Sequence, residues 1–191
     1  CRLAGRPDSQ ISNEFLIQEI SSKDPATRRE AIHALTKREF KAEPNDKLVQ
    51  AIIAELQAQL LTEMNQYLVF LPDPAYADLA SALETELHAM VDQLLLCLTF
   101  RYDTRTIMRV RHGLQFKSTE MRAGALEILD HLLPRGQAAR LLKLLEVLYL
   151  HRTADSLPKS DVNEAHESCK KLMQEATAVH DSWTVCLATH H

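Results

Sequence analysis

Apolar residues along this chain recur at helical spacing and almost nowhere alternate in the way a strand requires. Ile11, Phe15, Leu16 and Ile20 form an i, i+4, i+5, i+9 stripe within 8–22. Asp24 then offers a cap and Pro25 a first helical position, where a missing N–H loses nothing. Ala31, Ile32, Ala34 and Leu35 follow as a narrow apolar face. Pro44-Asn45-Asp46 opens a longer run, with Leu48, Ile52, Ile53, Leu56, Leu60, Leu61, Met64, Leu68 and Phe70 in helical register. Pro72 and Pro74 end it. A partner from about Tyr76 to Phe100 carries Leu79, Leu83, Leu87, Met90, Val91, Leu94, Leu95 and Leu98 on one side. Two long helices joined by a Pro-Asp-Pro corner predict an antiparallel hairpin reaching about 35 Å.

Shorter elements follow. Asp103 caps a helix with Ile107, Val110 and Leu114 inward, and Ser118 caps the next, with Glu120 in its first turn. Pro134 stops that helix, and a strongly apolar one spans 136–150. A polar linker at 151–160 leads to a helix near 161–175, and Asp181 caps a last one beginning at Trp183. About nine helices and no strand result, an all-α chain whose units bury their faces by stacking.

Composition sharpens this. Hydrophobic residues make up 46% of 191 but aromatics only 5%, so aliphatic side chains must build the core. Four glycines are too few for a β-rich fold with its tight turns. A net charge of −4 gives no global attraction to nucleic acid. Cys1, Cys97, Cys169 and Cys186 form no CxxC pair, which fits reduced thiols in a cytoplasmic setting. No run approaches the ~18–20 apolar residues of a membrane span, and no signal-peptide pattern is present. The chain opens at Cys1 and closes inside a helical pattern, so a longer parent is expected.

Asp24-Pro25, Arg28, Ala31 and Ala34-Leu35 resemble the second helix of a HEAT repeat. A larger block is Phe100-Arg-Tyr-Asp-Thr-Arg-Thr-Ile107, then Gly113-Leu114, then Arg122 to Pro134. With Asp181-Ser-Trp183 and Cys186 it resembles the cytosolic HEAT-like region that follows the membrane domain in certain bacterial major-facilitator-type transporters. Those transporters are similar to ATP/ADP translocases, and some carry a cyclic-nucleotide-binding domain. Gly124 interrupts the Asn-Ala-Leu-Glu run of that pattern, and Thr184-Val185 replaces its Leu-Arg. The resemblance implies a HEAT-like α-α superhelix, a solenoid over 1–191 with one oversized central hairpin. Its parts are a HEAT-like helix pair at 1–42, the long hairpin at 46–100, HEAT-like helices at 103–150 and a final truncated pair at 161–191. It carries over no transport residue.

Charge supplies the first candidate site. Residues 101–143 hold nine Arg or Lys against four acids. Arg105 and Arg109 share a helical face, Arg101 precedes it, and Arg111 and Arg122 are near in sequence. Such a segment could dock anionic lipid, a nucleotide phosphate or an acidic protein, or simply form a solvated face. The second candidate is the hairpin tip, where Tyr67, Phe70, Leu71 and Tyr76 cluster either as a docking knob or as buried packing.

Catalytic signals are missing. His166 and Cys169 stand at i, i+3 but no second pair completes a metal site. Cys97, between leucines, reads as a small buried thiol. There is no nucleophile elbow or phosphate-cradling loop, so neither metal, cofactor nor enzymatic activity is expected. The sequence thus favours a non-catalytic interaction or regulatory scaffold, and the resemblance implies that it is the cytosolic region of a larger membrane transporter. Its partners would be a protein or adjoining domains of the same chain, with anionic lipid or nucleotide contact and no specific nucleic acid. The alternative is a free-standing cytoplasmic adaptor or enzyme subunit that binds an anionic partner through 101–143.

Overall fold

The computed structural model describes residues 12–43, 45–71 and 73–150, and for 136–140 the backbone alone. The segments expected at 161–191, with His166, Cys169, Trp183 and Cys186, lie outside the described residues. Those described form seven α-helices and no strand: α1 (Asn13–Glu19), α2 (Pro25–Lys37), α3 (Lys47–Phe70), α4 (Ala77–Leu98), α5 (Thr104–Gln115), α6 (Thr119–Leu132) and α7 (Arg135–Leu150). A 3-10 turn at Pro74–Tyr76 leads into α4.

Local chemistry sets these boundaries. Ser12, Asp24, Asp46, Asp103 and Ser118 each accept a backbone N–H of the first turn they precede, answering amides that a helix start leaves unpaired. At Asp24 the Thr27 hydroxyl, and then its backbone N–H, hold the carboxyl below its ordinary 3.8. The end of α2 is a six-to-one, five-to-two closure. Phe40 N–H donates to Leu35 O at 3.1 Å and Glu39 N–H to Thr36 O at 2.9 Å. This geometry puts Glu39 at φ 54, a left-handed conformation that glycine adopts without strain. Glu39→Gly is therefore expected to raise stability by about 0.5–1 kcal/mol, measured as a higher urea midpoint at unchanged slope.

The two longest helices, α3 and α4, fold back on each other, and α4 lies at the centre, against α2, α3 and α5. Residues 93–100 are all buried, so the C-terminal end of α4 needs internal partners for its carbonyls. The loop after α2 provides them. Lys41 Nζ donates to Thr99 O at 2.6 Å, to Tyr102 O at 2.7 Å and to Thr104 Oγ1 at 2.9 Å. Ala42 N–H donates to Phe100 O at 2.9 Å. A cation placed at a helix C-terminus also complements its dipole. Cys97 sits here as a buried thiol, which burial pushes up to about 12.

Helix α5 packs on α6, α6 on α7, and α7 returns to α3. The α5–α6 contact depends on Gly113: a Cβ there would lie 2.8 Å from Ala125 Cβ. Alanine would improve helix propensity by roughly 1 kcal/mol but overpack a tight contact by about 1–3 kcal/mol. Gly113→Ala is expected to destabilise the protein, and Ala125→Gly to restore most of the loss. Thermal unfolding of the two single variants and the double variant checks this.

Candidate interaction site

The structure divides the five candidate arginines into two groups. Arg111 and Arg122 turn inward. Arg111 makes a two-point pair with Asp92 of α4, with Nη2 at 2.9 Å from Oδ2 and Nε on Oδ1, and this hydrogen bonding raises its already high pKa. Arg122 donates from Nε to Phe116 O at 2.6 Å and from Nη1 to Tyr149 O at 2.9 Å. Its guanidinium also sits 6.0 Å from the Tyr149 ring centroid. Both line a cleft of about 450 Å³ together with His88, Asp92, Leu95, Leu114 and Tyr149. The His88 and Tyr149 rings meet edge to face at 4.8 Å, and burial pushes the Tyr149 phenol far up. The donors named here are engaged in tying α4, α5, α6 and α7 together, so the two arginines serve as struts.

Arg101, Arg105 and Arg109 are exposed. Arg105 and Arg109 form no hydrogen bond or ion pair with a described residue, although Arg105 helps to lower the pKa of Asp103, after the Thr106 hydrogen bonds and Lys41. At about 100° per residue, Ile107, Val110 and Leu114 point to the core and Arg105, Met108, Arg109, His112 and Phe116 point out. Met108 is 37% exposed and Phe116 40%, and the His112 and Phe116 rings stack edge to face at 4.7 Å. The outer face of α5 is therefore both cationic and apolar.

Beside it runs a groove of about 380 Å³ between α5 and α6, lined by Thr106, Glu127, Ile128, His131 and Leu132. Met121, at the start of α6, is 48% exposed. On the far flank of α6, Glu127 and Asp130 border a second hollow shared with Leu142, Glu146 and Leu150 of α7. Acids on this flank were not among the sequence candidates. Nor was Asp92, although an acid inside the apolar run from Met90 to Leu98 is a signal that it has a partner.

At the hairpin tip the aromatics turn in. Tyr67, Phe70 and Tyr76 are 4%, 0% and 7% exposed. The corner folds Tyr76 onto Phe70, with ring centroids 5.4 Å apart, and burial pushes the Tyr67 phenol up to about 12. Only Leu71 of the four stands out, at 41%, so the tip presents one aliphatic side chain in place of an aromatic knob.

Among the described residues no three His, Cys, Asp or Glu gather as metal ligands, and no helix is long and apolar enough to cross a membrane. Compared with family models, curated proteins and solved structures, the chain gives no match.

Proposed function

We propose that this chain is a non-catalytic contact module, a HEAT-like helical scaffold that docks an anionic partner surface on the outer face of α5. One observation carries the proposal: Arg105 and Arg109 stand exposed, with no hydrogen bond or ion pair to a described residue, beside exposed Met108 and Phe116. Cations that merely solvate a surface have no need of a neighbouring apolar strip, whereas a docking face uses both. The capped pairs α1–α2 and α5–α6, with Ala31 and Ala125 buried in α2 and α6, support the HEAT-like form. The return of α7 to α3 departs from strict nearest-neighbour stacking.

The test is titration with anionic vesicles, nucleotides and acidic peptides at low and high salt, alongside a measurement of self-association. Salt-weakened binding to one of these, or salt-weakened self-association, lost in Arg105→Glu/Arg109→Glu, is expected. Flat titrations together with a strictly monomeric chain would remove the proposal. The transporter-attached form is supported by the resemblance at 100–134, and sequence upstream of Cys1 lacking hydrophobic spans would remove that part alone.

A further inference from the structure

Resting on the proposal that the α5–α6 face is a contact surface, we infer that its occupant is a second copy of this chain. The two copies pack face to face about a two-fold axis running along α6. Arg109 and Arg105 of each copy then lie over Glu127 and Asp130 of the other.

Gly124 is the first observation. Glycine inside a helix lowers helix propensity, and it is kept where something must approach the backbone closely. Gly113 has such a reason inside the chain, in Ala125. Gly124 has none among the described residues, where a Cβ would meet nothing within 4 Å. Its helical position places it on the outer side of α6, next to Ile128 and Met121 and just short of the acidic flank. Bare backbone on an outward helix face allows a second helix to come close from outside.

The second observation is the arrangement of charge. Gly113 lies beside Ala125 and Met121, and Thr106 shares the groove with Glu127, Ile128, His131 and Leu132. The two helices are therefore antiparallel, with Arg109 about level with Glu127 and Arg105 about level with Asp130. Cations occupy one flank, acids the other, and Gly124, Ile128 and Met121 lie between. A two-fold axis along α6 exchanges the flanks without shifting them lengthwise, so each cation meets an acid and every pair occurs twice. All four charged side chains are exposed, and none is hydrogen-bonded or ion-paired through its side chain to a described residue. A bilayer rich in anionic lipid, or a uniformly acidic peptide, would satisfy the arginines but meet Glu127 and Asp130 with like charge. The surface is complementary to itself, and a second copy is the occupant that satisfies both flanks.

Sedimentation velocity of the whole chain across a concentration series tests this. The wild type is expected to dimerise, with a Kd that rises at least tenfold from low to high salt. Arg105→Glu/Arg109→Glu makes both flanks acidic, and Glu127→Lys/Asp130→Lys makes both basic. Each variant alone is expected to sediment as a monomer, and an equimolar mixture as a heterodimer, because only the mixed pair is complementary on both flanks. Gly124→Leu is expected to raise the melting temperature of the monomer while weakening the dimer at least tenfold, which separates lost contact from lost folding. A wild type that stays monomeric overturns the inference, as does a dimer indifferent to the charge reversals with no heterodimer on mixing. If a monomeric wild type still binds an anionic probe in an Arg105- and Arg109-dependent way, self-association alone fails and the docking proposal stands.

Discussion

Replacing Phe100 with alanine is expected to cost about 3–5 kcal/mol of folding free energy, a large share of the roughly 5–15 kcal/mol that keeps an ordinary domain folded. Phe100 is 1% exposed and meets the Phe40 ring edge to face at 5.5 Å. Its carbonyl accepts Ala42 N–H at 2.9 Å, next to the carbonyls that Lys41 gathers. Truncation would open a cavity where the α2–α3 loop seals the end of α4, and the backbone there is held by too many hydrogen bonds to collapse into it. Phe100→Leu, which keeps most of the volume, should lose about half as much. Urea denaturation of the two variants checks the order, and equal losses would mean that ring volume is not what holds this corner.

Arg122→Met is expected to destabilise by about 2–3 kcal/mol, because two carbonyls lose charge-assisted donors in a half-buried position. Arg122→Lys should recover less than half of this, since an ammonium cannot reproduce a fork spanning Phe116 O and Tyr149 O. Arg109→Met, on the open face of α5, should stay within about 0.5 kcal/mol of the parent. Thermal unfolding of the three variants, at a dilution that leaves the chain monomeric, separates strut from surface cation. Similar losses at 109 and 122 would contradict the division of the arginines described above.

Much of the fold could be read from local signals. Asp24, Asp103 and Ser118 are marked in the sequence by an apolar stripe starting just after them, and capping is decided within four residues. The proline corner likewise marks the turn between α3 and α4 without reference to anything distant. The partners of individual side chains were not legible in the same way. Arg111 and Arg109 belong to one basic run, yet the first meets Asp92 because its helical position turns toward α4, while the second turns away. Arg122 finds its acceptor in Tyr149, a carbonyl that carries no side-chain signature at all. Tyr67, Phe70 and Tyr76 could equally have formed a knob or a plug, and the sense of the corner, which lays Tyr76 onto Phe70, made them a plug. On the groove, an interior glycine in α6 was visible as an irregularity, but its meaning depended on the empty space around it.

The return of α7 onto α3 bears on how the molecule comes apart. In an open array each unit leans only on its neighbours, so terminal units fray while the middle persists. Here α3, α4, α5, α6 and α7 form a closed circuit of contacts, and opening it anywhere removes support from two places. Amide exchange across α3 to α7 should therefore be slowed to a common level, governed by one cooperative opening, while α1, which packs mainly on α2, exchanges through smaller fluctuations of its own.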